Sequence, residues 1–434
     1  MRIVVVGTGF VGLVTGAGFA DFGNDVLCVD IDPEKIAKLE GGEIPFYEPG
    51  LQDLVARNVR ERRLRFGTSL AEATAWGETI FLCVGTPSGP RGEADLSQVF
   101  GAARTIAKAM TNHRLIVQKS TVPVGTNEKL RDFIAKHAKR RARFDVASNP
   151  EFLREGTAVD NFMRPDRIVI GVDTLKARTI LRDLYRPLYL IETPVVVTDV
   201  RTAELIKYAS NAFLATKISF INEMANLADA LGANVHDVAK TMGLDRRIGP
   251  KFLHPGPGYG GSCLPKDTLA LRHFAAEAGV PLRIVSASIE ANDAQLDVAV
   301  GKIDSMLKGR GRRTVAILGL SFKPDTDDMR AAPSLGIIKA LRKRKADIRV
   351  YDPVVRAATP GAPKDVVYAT SAYDAAKGAD VLAIVTEWNE FRRLNLTRIR
   401  RAMRRRAIVD LRNVYEPEAV RRLGFAYLSI GRPE

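Results

Sequence analysis

Four consecutive branched aliphatic residues, Ile3 to Val6, run directly into GTGFVG, Gly7 to Gly12. The run reads as a strand buried on both faces, and the glycines read as a tight turn into a helix. An Ala- and Gly-rich stretch follows, taken as an amphipathic helix, and then DVLCVDID, Asp25 to Asp32, as a second strand. Strand, glycine turn, helix and strand in that order commit the chain to a parallel sheet, because a parallel neighbour is reached only through a crossover. The G-x-G-x-x-G spacing also lets a pyrophosphate approach the backbone of Gly7, Gly9, Phe10, Val11 and Gly12 at a helix N-terminus. Asp30, closing the second strand, is placed to accept hydrogen bonds from an adenosine ribose. A carboxylate there repels a 2′-phosphate, so the expected cofactor is NAD rather than its phosphorylated relative, with Lys35 nearby as an opposing cation.

Further strand-like runs, TIFLCVG and RLIVQKS, alternate with helical patterns such as DLSQVFGAARTIAKAM. From about Arg201 some thirty residues keep helical periodicity without a proline, longer than an ordinary globular helix. TVAILGLSF, SLGIIKALRKRK and DIRVYDP then repeat the opening order with a longer turn, and VLAIVTEW and AIVDLRN supply later strands. The expected fold is α/β: two Rossmann-like doubly wound domains joined by a central helical domain with a long helix, divided as 1–200, 201–300 and 301–434.

At 434 residues the chain has room for several cores. Its start lacks the basic, apolar and small-residue regions of a signal peptide, and no apolar run is long enough to span a bilayer, so a cytoplasmic protein without membrane attachment is expected. The net charge of +15 raises the question of an anionic partner. The arginines are dispersed over ARNVRERRLRF, KHAKRRARF, ALRKRK and LTRIRRAMRRR, which read as solvated helix faces, and no aromatic-interleaved basic motif accompanies them. Nucleic acid is therefore not an expected partner. The five histidines lack metal-ligand spacing, and three widely separated cysteines form neither a disulfide framework nor a zinc site, so no metal is expected.

Cys28 and Cys83 sit inside apolar runs and read as core filling. Cys263, in GPGYGGSCLPKD, differs. Glycines precede it, Ser262 is placed to cap a helix begun at Cys263, and a helix N-terminus favours the thiolate. Asp267 falls one turn along on the same face. This local chemistry favours a nucleophile over an incidental cysteine in a glycine hinge. Lys207 and Asn211, also four apart, can share a cleft, although spacing does not separate that reading from a surface lysine. In NPEFLREG, Glu151 and Glu155 can share a helical face, and spacing alone gives them no role.

GTGFVG, VGTP (Val84 to Pro87), KSTVPVGT (Lys119 to Thr126), NPEFLREG, the Lys207/Asn211 helix, GYGGSCLPKD, FKPDTDD and TEWNEF together resemble the UDP-glucose/GDP-mannose dehydrogenase family, in order and over essentially the whole chain. The resemblance implies oxidation of a nucleotide-sugar C6 alcohol to a carboxylate with two NAD per turnover, through a thiohemiacetal and thioester on Cys263. UDP-glucose is the expected substrate, ahead of GDP-mannose, UDP-N-acetylglucosamine and UDP-N-acetylmannosamine. It implies that Lys207 stabilises alkoxide charge, that Asn211 and Asp267 position water or move protons, and that Thr121 and Glu151 are further acid/base and water-handling groups. The group that removes the first proton is left open.

Cofactor contacts implied in the same way are the Gly7 to Gly12 loop, Asp30, Lys35, Thr86, Thr121, Glu155 and Arg330. Substrate contacts are Glu151, Phe152, Leu153, Glu155, Lys207, Asn211, Arg247, Phe252, Leu253, Tyr259, Gly260, Phe322, Lys323 and Arg412. Arg247 matches an arginine that reaches the site of a neighbouring subunit, which implies a homodimer or higher oligomer with the long helix as its dimer element. Phe10 stands where tyrosine is usual in the family, and Leu411 stands beside Arg412 where glycine is more frequent.

Overall fold

A computed structural model describes residues 1–139, 142–307 and 313–432. Arg140 and Arg141 of the KHAKRRARF run lie outside them, as do Gly311 and Arg312 ahead of the second strand series. Two compact units result, Met1–Ser210 and Asn211–Glu434.

The first unit carries eight strands: β1 (Arg2–Val6), β2 (Asp25–Val29), β3 (Leu64–Gly67), β4 (Thr79–Leu82), β5 (Arg114–Gln118), β6 (Phe144–Ser148), β7 (Ile168–Val172) and β8 (Val195–Thr198). Their order is β3-β2-β1-β4-β5-β6-β7-β8. The first six make the parallel 3-2-1-4-5-6 arrangement of dinucleotide-binding sheets. β7 pairs antiparallel to β6, with Ala147 opposite Val172, and β8 runs parallel to β7. The wholly parallel sheet expected from the alternating pattern therefore stops at β6. This reversal has a use: an antiparallel return needs no crossover to the far edge, so the chain between Ser148 and Ile168 leaves and re-enters the sheet at the carboxyl end of β6.

The helix after the glycine turn, Phe10–Asp21, is not amphipathic. Every residue from Gly12 to Ala20 is buried. It is covered by the sheet on one side and by Leu51, Leu54, Val55, Ala158 and Phe162 on others. Small residues allow this. A Cβ on Gly16 would come within 2.3 Å of Cys28 Sγ, and one on Gly18 within 2.2 Å of the Phe162 ring.

In the second unit β9 (Arg313–Leu318), β10 (Ala346–Tyr351), β11 (Val367–Tyr368), β12 (Val381–Ile384), β13 (Ala407–Asp410) and β14 (Ala426–Ser429) form an all-parallel sheet, ordered β11-β10-β9-β12-β13-β14. The 3-2-1-4-5-6 order thus occurs twice. The expected long helix spans Val200–Leu231 without a break, and helices Val235–Leu244, Leu264–Glu277 and Arg283–Met306 follow. The first, second and fourth of these helices share a core with the second sheet: Ile221, Ala225, Val235, Ala299 and Ile303 belong to one cluster with Val315, Ile317 and Val409.

The tightest constraint in the first unit is at Gly12, where a Cβ would sit 1.8 Å from the carbonyl oxygen of Gly7. Gly12→Ala is expected to force the turn open and cost about 3 kcal/mol or more. A denaturant melt unchanged within about 1 kcal/mol would contradict this packing.

Candidate active site

The N-terminus of the Phe10–Asp21 helix is open to an anion. Gly9 is its N-cap, no side chain caps it, and its first turn holds no acidic residue. A Cβ on Gly9 would meet nothing within 4 Å, whereas one on Gly7 would meet the Cys83 carbonyl oxygen at 2.7 Å. An uncapped first turn with open space at Gly9 and close backbone contact at Gly7 is what an approaching pyrophosphate requires. Asp30 is half-buried and accepts from Thr8 N at 2.8 Å, Thr8 Oγ1 at 2.9 Å and Asp32 N at 3.1 Å. Burial opposes its ionisation, but those donors and the charge of Lys35 hold its carboxyl below the usual range. It remains an acceptor with exposed surface for ribose hydroxyls. These residues fit NAD.

At the carboxyl ends of β4 and β5, buried Thr86 donates from Oγ1 to the Thr121 carbonyl at 3.0 Å, tying two expected cofactor residues together. NPEFLREG is not helical as its spacing allowed; it runs as a loop, and the helix begins only at Ala158. Gly156 takes a left-handed conformation at φ 78°, and the backbone turns there at the end of the motif. Glu48 holds this loop by accepting the N–H groups of Gly156 and Ala158 at 2.6 and 2.7 Å.

Glu151 is thereby turned inward. Its Oε1 lies 3.0 Å from Lys207 Nζ, with the two side chains 6% and 5% exposed, and its Oε2 accepts from Leu153 N at 2.7 Å. Burial works against the Glu151 carboxylate, yet Lys207 and the Leu153 N–H hold it below the ordinary range. The surface reading of Lys207 is therefore set aside. Phe152 lies beneath two cations, with the Arg167 guanidinium 3.6 Å and Lys207 Nζ 5.3 Å from its ring centroid. Glu155 is buried as well.

In the second unit, Cys263 is itself the N-cap of the helix Leu264–Glu277. Ser262 does not cap it; its hydroxyl lies 3.5 Å from Cys263 Sγ, and the Cys263 carbonyl accepts the first helical bond, from Asp267 N at 2.8 Å. The cap falls one residue later than expected because the helix begins at Leu264 rather than at Cys263. Asp267 is buried, taking Asn211 Nδ2 and Lys266 Nζ, each at 2.6 Å, on its two oxygens.

The glycine loop ahead of the cysteine is pinned on several sides. Gly256 N donates to Asn222 Oδ1, Gln295 Nε2 donates to the Gly256 carbonyl, and Tyr259 N donates to Asn292 Oδ1. A Cβ on Gly256 would meet Arg412 Nη1 at 2.8 Å, one on Gly260 the Ala331 carbonyl at 2.3 Å, and one on Gly261 the Phe322 ring at 2.7 Å. The structure thus gathers Tyr259, Gly260, Phe322 and Arg412 around the loop.

Arg412 donates to the Val385 and Phe322 carbonyls and pairs with Glu387 at 3.0 Å. The leucine beside it fills the core, with no exposed surface, and leaves these contacts intact. Lys323 Nζ is 5.8 Å from the Phe322 ring centroid. Arg330 pairs with Asp328, Phe252 has φ 64°, and the Leu253 side chain belongs to the apolar core. Arg247 stands apart on the surface, 89% exposed and paired with Asp245.

Asp352 occupies in the second sheet the place that Asp30 holds in the first. It is buried and accepts from Leu320 N, Ser321 N, Val354 N, Val355 N and Trp388 Nε1. With its lone pairs consumed by protein donors, it has none for a ribose. The two sheets share an order and differ in what they can bind.

Sequence reasoning missed Lys119, Asn149, Tyr185, Glu48 and Arg167 in the first unit and Lys266, Asn222, Asn292 and Gln295 in the second. Lys119, Asn149 and Lys266 lie inside motifs already singled out. The others act across long sequence separations and leave no local signal. Among the described residues no cluster of His, Cys, Asp and Glu suits a metal ion, and no helix is long and apolar enough to cross a membrane.

Residues 1–189 match the NAD binding domain of the UDP-glucose/GDP-mannose dehydrogenase family, residues 201–294 its central domain, and residues 316–417 its UDP binding domain. The chain belongs to this family. A UDP-glucose 6-dehydrogenase of Rhizobium meliloti (strain 1021) is 49% identical to this family member, with both chains covered in full. A solved UDP-glucose dehydrogenase from Pyrobaculum islandicum is 38% identical and superposes with a TM-score of 0.91 over 99% of this chain and 98% of its own. A UDP-D-ManNAc dehydrogenase from Pyrococcus horikoshii is 30% identical, with a TM-score of 0.87 over 100% and 99%.

The Glu151–Lys207 pair is the most exacting element of this family member's first unit. Removing either charge alone, as in Glu151→Gln or Lys207→Met, is expected to cost about 3–5 kcal/mol, because the survivor is left charged and buried. Replacing both by apolar residues should cost less than the sum of the two. Additive losses in a double-mutant cycle of melts would refute the pairing.

Proposed function

We propose that this chain is an NAD-dependent UDP-glucose 6-dehydrogenase that oxidises the C6 alcohol of UDP-glucose to UDP-glucuronate in two steps. The observation that carries the chemistry is Cys263 at the start of a helix whose next turn holds a buried Asp267 clasped by Asn211 and Lys266. Identity to the UDP-glucose relatives, 49% and 38%, against 30% to the N-acetylmannosamine enzyme, supports UDP-glucose over its sister sugars.

NAD supplies a nicotinamide ring that accepts hydride; the remaining steps fall to side chains. Lys207 stabilises negative charge on the C6 oxygen as the alcohol loses its proton and becomes an aldehyde. The Cys263 sulfur adds to the aldehyde carbon, and a proton goes to the oxygen, giving a thiohemiacetal that still carries a transferable hydrogen. Loss of that hydride and of the hydroxyl proton leaves a thioester. Water, activated by a carboxylate of this constellation, cleaves the C–S bond and releases acid and thiol. Asp267 and Asn211 order that water, with Thr121 and Glu151 assisting. Asp30 and the Gly7 to Gly12 turn bind the dinucleotide, while Phe322, Lys323 and Arg412 hold the UDP-sugar. The functional division is 1–200 for cofactor, 201–300 for the cysteine loop and association, and 301–434 for the UDP moiety.

Two copies are proposed to associate along the Val200–Leu231 helix. Phe213, Phe220 and Leu227 recur at seven-residue intervals there and are 64%, 41% and 50% exposed, an apolar stripe that a second copy can cover. Three cysteines, all thiols, one of them catalytic, suit the reducing conditions of a cytoplasm.

Mixing the protein with excess NAD and limiting UDP-glucose should yield about two NADH per sugar. Cys263→Ser should abolish acid production while leaving NAD affinity within about threefold; normal UDP-glucuronate yields from that variant would remove the nucleophile assignment. For the assembly, Phe220→Asp is expected to lower the sedimentation mass of the wild-type oligomer, and an unchanged mass would remove the helix stripe from the interface.

A further inference from the structure

Lys119 has no part in the chemistry above, yet its side chain is 4% exposed at the carboxyl end of β5. Its Nζ lies 3.1 Å from Asn149 Oδ1, 3.4 Å from the Asn149 carbonyl and 3.5 Å from the Tyr185 hydroxyl. Asn149 is the knot of this region. Its N–H donates to the Gln118 carbonyl at 2.9 Å, its Nδ2 to the Val169 carbonyl at 2.8 Å, and its Oδ1 accepts from the Tyr185 hydroxyl at 2.5 Å. β5, β7 and the segment after the helix Leu175–Leu184 are thus fastened to the residue that precedes Pro150 and Glu151.

The charges around Lys119 can be taken element by element. From the end of β4, burial pushes the Cys83 thiol up to about 12, with the charge of Lys119 acting against that shift. Burial likewise raises the Tyr185 phenol, which keeps its proton. Glu151 approaches from the loop after β6 and Lys207 from the long helix, and both act electrostatically on Lys119. Arg167, over Phe152, is acted on by Asp166 and Glu151, which favour its charge, and by Arg154, which opposes it. The Glu151 carboxylate acts on two buried ammonium groups, Lys119 and Lys207, beside a cavity of about 40 Å³ lined by Lys119, Glu151, Phe152, Arg167 and Tyr185, with room for only a few waters. Charges so placed are weakly screened.

We propose that Lys119 is a positioning residue that fixes the Asn149–Glu151 turn and, as a second cation, leaves the Glu151–Lys207 pair with net positive charge for the alkoxide of the substrate. Without Lys119, Glu151 cancels Lys207. With it, Lys119, Glu151 and Lys207 together carry one excess positive charge beside the alkoxide that Lys207 stabilises. The inference rests on the dehydrogenase reading and assigns Lys119 an electrostatic task within it.

Burial lowers the Lys119 ammonium to about 8, with Cys83 and then Glu151 opposing that shift and Lys207 adding to it. Below that pH the group is charged and the cluster positive; above it the charge is lost, so kcat should decline on the alkaline side.

The test is kcat against pH on the full chain at saturating NAD and UDP-glucose, for wild type, Lys119→Arg, Lys119→Met and, as a control that removes only a hydroxyl, Tyr185→Phe. Wild-type kcat should fall above about pH 8, Lys119→Arg should hold its rate to about pH 9.5 because guanidinium keeps its proton, and Lys119→Met should lose that limb. At neutral pH, Lys119→Met should lower kcat about 10- to 100-fold with KM for NAD unchanged. Tyr185→Phe should keep the wild-type profile. The same alkaline limb in Lys119→Arg or Lys119→Met as in wild type overturns the proposal, as does a Lys119→Met loss no larger than that of Tyr185→Phe. If neither Lys119 variant gives a cooperative melt, the wild-type curve decides: a rate that holds through about pH 9.5 overturns the proposal and a falling limb supports it. Wild-type turnover of UDP-glucose with two NADH keeps the dehydrogenase reading whatever Lys119 does. Turnover of a sister sugar instead changes only the substrate in this comparison, and turnover of none defeats both ideas.

Discussion

A carboxylate and an ammonium that are both almost wholly buried must lie side by side, and the 3.0 Å contact between Glu151 and Lys207 imposes that demand on the first unit. Meeting it takes a loop that turns inward directly after β6 and a helix that delivers a lysine to it. The reversal between β6 and β7 provides the first by keeping both ends of the loop at the ligand edge of the sheet. The second comes from the unbroken helix that starts directly after β8, whose approach to the sheet is so close that a Cβ on Gly171 would meet the Ala203 side chain at 2.5 Å. Glu48 then holds the loop by its backbone, and Asn149 fastens the loop's start through its N–H to Gln118 and its Nδ2 to Val169, so the position of Glu151 follows from hydrogen bonds made to residues far away in sequence.

The two sheets show how one topology serves two purposes. Both follow the 3-2-1-4-5-6 order, and each closes its second strand with an aspartate. Asp30 keeps accessible surface above an uncapped helix N-terminus, which suits a dinucleotide. Asp352 spends its oxygens on the turn after β9 and on Trp388, so in the second sheet the same carboxylate is a structural clamp. The longer turn that follows β9 then carries Phe322 and Arg330 to the cysteine loop. The dispersed arginines have local partners in several places: Arg57 with Asp21, Arg404 with Asp380, Arg349 with Asp374, and Arg65 over Trp76. Pairing and stacking of this kind engage part of the arginine charge locally.

Periodicity and turn chemistry made much of the fold legible, because both are local. The Ile3 to Val6 run, the GTGFVG turn and the thirty-residue helical stretch each reported their own structure. Local pattern misled where environment decided. The Phe10–Asp21 helix looked amphipathic and is buried on nearly every face, and Glu151 and Glu155 had helical spacing inside what proved to be a loop. Ser262 had the chemistry of a cap, but the helix geometry begins one residue later.

By itself the sequence determined the residue types available for chemistry: a cysteine among glycines, an acid closing the second strand, and lysine and asparagine one turn apart. Those are properties of neighbours within about one helical turn, where bond geometry leaves little freedom. The tertiary structure alone decided which groups are buried together. It turned Glu151 to Lys207, seated Asp267 between Asn211 and Lys266, placed Lys119 against Asn149, and filled the second sheet's aspartate with protein donors. Burial raises the cost of an unpaired charge or polar group from negligible to several kcal/mol, and burial comes from packing between segments that no local pattern relates.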